Sequence, residues 1–146
     1  MASSKKTKVR FFSHDIPTRL KNRTTLKHFI ESIFKKELKN LDSINYIFCS
    51  DKAVLEINKK YLNHDFYTDV ITFDLSTDHK AICAEVYISI ERIRDNSKKL
   101  GLTIKSEFHR VLFHAALHLC GYNDKKKKDE EVMRKKENEL LAKYFN

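Results

Sequence analysis

Glycine and proline are nearly absent from this chain: its 146 residues contain two glycines and one proline. Tight turns between short strands depend on these residues, because glycine adopts backbone conformations closed to other residues and proline pre-sets the turn geometry. A turn-dense all-β sandwich or barrel is therefore excluded, as are collagen-like and low-complexity chains. The remaining possibilities are folds built from helices and a few longer strands.

The order of strand and helix patterns predicts an α+β fold. Segments rich in β-branched and aromatic residues indicate strands, and apolar residues three and four apart indicate helices. The order is β-α-β-α-β-β followed by three helices, which is typical of one mixed four-stranded sheet packed against about five helices. No linker or repeat divides residues 1–146, so a single domain is predicted. The predicted strands are 9–12, 44–49, 70–75 and 82–89, and the predicted helices are about 26–38, 51–61, 90–100, 103–120 and 129–145.

Several helix ends are predicted from single residues. Ser50 and Ser89 precede helical patterns and are expected to act as N-caps, since a serine oxygen accepts a hydrogen bond from a free backbone N–H of the first turn. Gly101 and Gly121 follow helical patterns and are expected to end them in the left-handed conformation. In the first helix, the apolar stripe is predicted to extend from Leu26 to Leu38.

The charge balance favours a phosphate-bearing partner. Basic residues outnumber acidic ones by 29 to 20, a net charge of +9, although solubility alone would also explain such an excess. No apolar run approaches the roughly 18 residues that cross a bilayer, and the basic first residues lack the apolar region of a secretory signal. Three cysteines without C-x-x-C spacing argue against a disulfide framework or a zinc–thiolate site. We therefore expect a soluble cytoplasmic protein without a membrane partner.

The strongest candidate for a functional site is the end of the predicted fourth helix. His114 and His118 are four residues apart, so both imidazoles lie on one helix face and can bind one ion. Gly121 is expected to turn the chain back, which brings the carboxylate of Asp124 towards the pair. The spacing predicts a zincin-like metal site on a helix of the C-terminal half. The alternative, two histidines bonded to backbone carbonyls before a glycine cap, stays open.

The absence of one residue, a glutamate after the first histidine, limits the reactions that such a site could catalyse. The spacing H-x-x-x-H-x-x-G-x-x-(H/D) is also that of metzincin peptidases, which carry a glutamate general base directly after the first histidine. That position is Ala115 here, so a peptidase is disfavoured. A metal ion with three protein ligands still activates water and polarises phosphorus, which favours hydrolysis of a phosphate ester.

A run of four lysines follows the candidate ligand Asp124. Lysines beside a metal would attract a phosphodiester backbone. They would equally form a solvated turn, balanced by the acids that begin the next helix. The run comprises Lys125, Lys126, Lys127 and Lys128, and a second candidate basic surface comprises Lys5, Lys6, Lys8 and Arg10.

Three segments together resemble the YbeY family of metallo-endoribonucleases, which act in bacterial ribosome maturation. The segment from His114 to Asp124 is similar to the family hallmark H-G-x-L-H-L-x-G-Y-D-H. Residues 55–61 and 68–73 resemble L-N-x-x-Y-R followed by T-D-V-L-S-F, and residues 84–89 stand where the family has G-D-I-x-I-S. These segments occur in the family's order over about residues 55–124. Among the matching residues, Asn58, Tyr61, Thr68, Asp69 and Gly121 are interpreted as structural parts of the motif.

The resemblance implies an activity, a cofactor and partners. It implies a zinc-dependent endoribonuclease specific for single-stranded RNA, with roles in small-subunit ribosomal RNA 3′-end processing and late-stage ribosome quality control. One Zn²⁺, or another divalent metal, would be held by His114, His118 and Asp124, and a metal-bound water would attack the phosphodiester. The implied partners are ribosomal RNA and the ribosome or its small subunit.

From the residues alone, the other matching positions have structural interpretations. Tyr61 is expected to pack with its hydroxyl satisfied, and Thr68-Asp69 to form a turn that enters a strand. The histidines His64, His79 and His109 match no ligand position of the family and are interpreted as surface or supporting groups.

Four departures from the family pattern bear on the proposed chemistry. Asp124 replaces the third histidine, and Ala84 and Glu85 replace glycine and aspartate. Leu62 replaces an arginine, which removes a cation expected near the scissile phosphate. The sequence does not identify the general base, for which Glu85 is one candidate.

The missing arginine motivates an alternative function: a ribosome-assembly RNA-binding factor with a structural metal and little catalysis. A hydrolase of a small phosphate or amide is a third hypothesis, against which the lysine run argues.

Overall fold

The strands and helices follow the predicted order in a computed structural model that describes residues 7–78 and 80–146. The predicted α+β class, with a mixed four-stranded sheet and five helices, is confirmed. Lys5, Lys6 and His79 lie outside the described residues. The strands are β1 (Val9–Ser13), β2 (Leu41–Cys49), β3 (Val70–Asp74) and β4 (Ile82–Ser89). The helices are α1 (Arg23–Lys36), α2 (Asp51–Leu62), α3 (Ile90–Leu100), α4 (Ile104–Leu119) and α5 (Lys127–Tyr144).

The sheet has the strand order β1-β2-β4-β3. Strands β1, β2 and β4 run parallel, and β3 pairs antiparallel with β4 at one edge. Parallel neighbours need crossover connections, which place helices over the sheet. Helices α1 and α4 contribute to the main core on one face, whereas α2 packs on the other face through Val54, against Cys49 and Ile71.

Helix α4 lies at the centre of the main core. Its residues Leu112, Phe113 and Leu117 are fully buried, in the same cluster as Ile44 and Phe48 of β2. The buried hydroxyl of Tyr46 donates a hydrogen bond of 2.9 Å to the carbonyl of Leu112, which ties the helix to the middle of the sheet. Among the described residues, no helix combines the length and the apolar character that crossing a membrane requires.

The predicted helix caps are present. The side-chain oxygens of Ser50 and Ser89 accept hydrogen bonds from the backbone N–H groups of Ala53 and Arg92, at 3.1 and 3.0 Å. Gly101 ends α3 with a φ of 67°. These bonds satisfy backbone groups that the first and last turns of a helix leave without partners.

Two of the predicted boundaries that differ from the structure have a local explanation. Helix α1 ends at Lys36, and Leu38 lies beyond it, 92% exposed, with a φ of 57°. The N–H groups of Leu38 and Lys39 bond to the carbonyls of Lys35 and Phe34, so a leucine occupies the left-handed position usually taken by glycine. Helix α5 begins at residue 127, two residues earlier than predicted, because the lysine run supplies its first residues.

We expect Leu112→Ala to lower the free energy of unfolding by about 3–5 kcal/mol, because the substitution opens a cavity at a fully buried position of α4. Leu100→Ala, at a helix position 57% exposed, is the matched control and should change it by about 0.5 kcal/mol or less. Urea denaturation followed by circular dichroism measures both values. Equal losses in the two variants would contradict the central place given to α4.

Candidate metal centre

A glycine turn reverses the chain at the end of α4. Gly121 has a φ of 106°, and its N–H donates to the carbonyl of His118 at 3.0 Å. The N–H of Tyr122 donates to the carbonyl of Leu117 at 3.1 Å. This pair of bonds is the Schellman motif, in which a left-handed residue lets two N–H groups cap the last carbonyls. The chain after Gly121 is thereby directed back along the helix.

The chain after this turn is held by a second anchor. The hydroxyl of Tyr122 donates a hydrogen bond of 2.6 Å to Oε1 of Glu37, directly after α1. This hydrogen bond and burial raise the pKa of Tyr122 to about 12. The hydroxyl therefore keeps its proton at neutral pH and the anchor stays intact. Two residues further on, the chain presents Asp124.

The carboxylate of Asp124 meets the ring of His114. Oδ2 of Asp124 lies 3.3 Å from Nε2 of His114. Two ligands that are each about 2.0–2.2 Å from a tetrahedral zinc lie roughly 3.4 Å apart, so the observed separation is close to one edge of a coordination tetrahedron. The two atoms therefore fit ligands of one cation.

The other ring nitrogen of His114 is bound by a buried glutamate of α5. Nδ1 donates a hydrogen bond of 2.6 Å to Oε2 of Glu137, whose side chain is 2% exposed. Burial acts to lower the pKa of His114, but the hydrogen bond to Glu137 and the negative charges of Glu137, Asp124 and Asp69 outweigh it, so this pKa is raised. Burial acts to raise the pKa of Glu137, but the bonds and charges of His114 and Arg110 lower it.

Arg110 links the two buried glutamates of this region. Its Nη1 lies 3.1 Å from Oε1 of Glu137, its Nε donates to Oε2 of Glu107 at 3.2 Å, and its Nη2 contacts Oε1 of the same residue. Glu107 is fully buried. Two carboxylates and one guanidinium leave one uncompensated negative charge beside His114. The sequence signal that could have revealed this cluster is the spacing of Glu107, Arg110 and His114, charged residues three and four apart on an apolar helix.

His118 is separated from this pair in the structure. It lies on α4 one turn after His114, and its side chain is exposed. Within residues 7–78 and 80–146, no three histidine, cysteine, aspartate or glutamate side chains are close enough to hold a metal ion. The structure therefore brings together His114 and Asp124, and it leaves the His118 ring in solvent.

Asp69 directly precedes β3, and its negative charge is one of those that raise the pKa of His114. Its carbonyl accepts a hydrogen bond of 2.9 Å from the N–H of Ser89 at the end of β4. Burial raises the pKa of Asp69, while the positive charges of Arg110 and His114 act to lower it. The preceding Thr68 donates its hydroxyl to the carbonyl of Val70 at 3.4 Å.

Asn58 and Tyr61 lie on α2, on the other side of the sheet. Asn58 is buried, and its amide donates a hydrogen bond of 2.9 Å to the carbonyl of Phe66, which ties the loop after α2 to the helix. Tyr61 is 62% exposed and packs edge-on against Phe73, with 5.9 Å between ring centroids. Neither side chain lines the cavity that contains His114.

Glu85, considered above as a general base, is not at the candidate centre. Side chains alternate along β4, so the buried neighbours Ala84 and Val86 face the main core and Glu85 faces the side of α2. There it lines a separate cavity of about 730 Å³ with Phe73 and Tyr87. This placement removes Glu85 as a base for chemistry at His114.

The cavity over the candidate centre is lined by both cations and carboxylates of α5. It has a volume of about 670 Å³, and its lining includes His114, Asp124, Arg134 and Lys135. The residues of the lysine run, Lys125 to Lys128, are all exposed, and the last two form the start of α5. Asp129 and Glu130 in its first turn offset the unfavourable position of lysines at a helix N-terminus.

The fold and this centre define a small α+β protein with two candidate metal ligands at the end of its core helix. Comparison with known proteins gives the family. Residues 10–145 match the family model "Endoribonuclease YbeY", and the chain belongs to this family.

Curated relatives and a solved structure agree with this assignment. Endoribonuclease YbeY of Cytophaga hutchinsonii is 44% identical over 132 residues, which cover 90% of this chain and 92% of the relative. The protein of the same name from Flavobacterium psychrophilum is 44% identical over 130 residues, covering 89% and 92%. The solution structure of TM1509 from Thermotoga maritima has 25% identity and a TM-score of 0.63, and the match covers 94% of this chain and 89% of that chain.

We expect Arg110→Met to lower the free energy of unfolding by about 3–5 kcal/mol, because Glu107 would remain buried without its cation. Arg134→Met, an exposed arginine on α5, is the matched control and should change this free energy by about 0.5 kcal/mol or less. The midpoint of urea unfolding at pH 7 distinguishes the two variants. An unchanged midpoint for Arg110→Met would contradict the proposed dependence on this ion pair.

Proposed function

We propose that this protein is a metal-dependent endoribonuclease that cuts single-stranded RNA in the cytoplasm. Its place is in ribosomal RNA maturation, at the 3′ end of the small-subunit RNA, and in late-stage ribosome quality control. The endoribonuclease assignment follows from family membership. The observation that carries the site is the 3.3 Å approach of the His114 ring to Asp124, beside a second histidine one helical turn away.

The residues proposed to hold the metal are His114, His118 and Asp124, and the metal is Zn²⁺ or another divalent ion. A bound ion of this kind supplies Lewis-acid stabilisation of a phosphate and lowers the pKa of a water molecule. Since His118 is exposed, its ring is free to change rotamer and join the other two ligands. Asp124 adds a negative charge where the family has a neutral histidine, so the centre of this chain is less electrophilic.

The chain also offers cations for an RNA backbone. Leu62, which stands in place of the family's arginine, is 40% exposed and carries no charge. Arg134 and Lys135 line the same cavity as His114, and the exposed lysine run follows Asp124 directly. Positive groups around a hydrolytic centre attract phosphates and stabilise charge that develops in the transition state.

Asp69 replaces Glu85 as the candidate proton acceptor. Its carboxyl is close enough to His114 and Arg110 for their charges to affect its pKa, and burial raises that pKa. A carboxylate with a raised pKa beside a reaction centre is suited to general acid–base catalysis.

We expect the purified protein to cleave single-stranded RNA, and to lose this activity when a chelator removes the metal. His118→Ala should lower the cleavage rate by about 100-fold or more, because a three-ligand centre loses one donor. His28→Ala, an exposed histidine on α1, is the matched control and should leave the rate unchanged. Gel-based cleavage of a fluorescent RNA oligonucleotide measures these rates.

Metal content separates the catalytic proposal from the alternative of a ribosome-assembly factor with a structural metal. Elemental analysis should find one equivalent of metal in the wild type and less in Asp124→Ala. RNA binding without turnover at any divalent metal, together with a melting temperature that falls steeply on metal removal, would favour the alternative.

We expect Asp69→Asn to lower turnover of single-stranded RNA by about 100-fold or more, because the amide cannot accept a proton. The metal content should stay at the wild-type value, since Asp69 is not a proposed ligand. Asp65→Asn, an exposed aspartate in the preceding loop, is the control. Wild-type turnover in Asp69→Asn would remove this residue from the mechanism.

A further inference from the structure

We propose that Glu137 is the positioning residue of the metal centre: it accepts the Nδ1 proton of His114 and so fixes the ring with Nε2 directed at Asp124. This inference rests on the proposed function, because it assigns a second residue to the same site. The segments that resemble the family end at Asp124, thirteen residues before Glu137, and they assign Glu137 no role.

The two ring nitrogens of His114 contact two different carboxylates. Nδ1 is 2.6 Å from Oε2 of Glu137, and Nε2 is 3.3 Å from Oδ2 of Asp124. Because a carboxylate only accepts hydrogen bonds, the short contact with Glu137 places a proton on Nδ1. The imidazole is rigid, so a hydrogen bond that fixes Nδ1 also fixes the direction of the Nε2 lone pair. Which nitrogen of a histidine can bind a metal is decided in this way by the hydrogen bond of the other.

Glu137 is itself held in place by its other oxygen and by its helix. Oε1 accepts from Nη1 of Arg110 at 3.1 Å, so each carboxylate oxygen has its own donor. Met133 and Leu140, one turn away on either side of Glu137 on α5, are 2% and 8% exposed and pack in the main core. The docking of α5 therefore places the carboxylate, and at 2% side-chain exposure water has little access to compete for its hydrogen bonds.

The charges around Glu137 favour a cation at the ring. Arg110 is shared with Glu107, so one guanidinium faces two buried carboxylates. The remaining negative charge lies next to His114. It acts on the ring through the hydrogen bond between Nδ1 and Glu137. A carboxylate in this position makes the histidine a stronger ligand, and its removal typically weakens metal binding by about 10- to 100-fold.

The first test reads the His114 tautomer in metal-free protein by ¹⁵N NMR, at a pH where the ring is neutral. We expect the Nδ1–H tautomer in the wild type and in Glu137→Gln, whose amide oxygen still accepts the proton. Glu137→Leu, which has no acceptor, should lose this preference. This measurement needs neither metal nor RNA, so its result is independent of the nuclease assay. The proposed nuclease function can fail while the role of Glu137 is supported, and the role of Glu137 can fail while the nuclease function is supported.

The second test measures zinc affinity by competition with a chromophoric chelator. Glu137→Leu should weaken binding by about 10- to 100-fold, and Glu137→Gln should weaken it less. Glu107→Leu is the matched control: it removes the other buried partner of Arg110 without touching His114, so it should keep the wild-type tautomer and weaken zinc binding less than Glu137→Leu does. If Glu137→Leu does not fold, Glu137→Asp serves, because it keeps the charge near Arg110 but withdraws the oxygen from the ring.

Two outcomes would overturn the proposal. One is a folded Glu137→Leu or Glu137→Asp protein that retains both the Nδ1–H tautomer and the wild-type zinc affinity. The other is a loss of zinc affinity in Glu107→Leu as large as that in Glu137→Leu, since this would attribute the effect to packing between α4 and α5.

Discussion

The burial of one face of α4 against the sheet is the constraint on which the rest of this structure depends. The same helix carries the apolar residues of the core, such as Leu112 and Phe113, and a line of polar residues that includes Arg110 and His114. A shift of the helix would therefore change the core and the candidate site together. Because interiors are close-packed, the core leaves α4 little freedom, and this rigidity is transferred to the His114 ring.

A buried charge cluster on this helix is costly unless every member has a partner. Glu107, Arg110 and Glu137 satisfy one another, and the final negative charge is directed towards His114. Such clusters contribute less to stability than an apolar core of equal volume would, so their value lies in orientation and specificity. In this protein, the cluster links the packing of α5 against α4 to the orientation of the His114 ring.

Much of the fold was predictable from the sequence because its signals are local. The caps at Ser50 and Ser89 and the turn at Gly101 depend on residues within one helical turn. The end of α1 was mispredicted because Leu38 adopts a backbone conformation that its residue type rarely takes.

The candidate site was only partly predictable, for the opposite reason. The alternation of side chains along β4 separates Glu85 from the core face, so the placement of Glu85 is predictable from the strand pattern. Glu137 follows His114 by 23 residues, and no spacing rule predicts which glutamate of a charged helix meets a histidine on another helix. Its role depends on how α5 docks on α4, which is a tertiary property.

The hydrogen bond between Tyr122 and Glu37 has a consequence for the thermodynamics of the proposed metal binding. It joins the segment that carries Asp124 to the far end of the first helix, so this segment is restrained before any ligand arrives. A ligating side chain on a restrained segment loses less conformational entropy when it binds an ion than one on a flexible segment. Because this entropy is already lost during folding, a larger share of the enthalpy of coordination would contribute to the affinity for a metal ion.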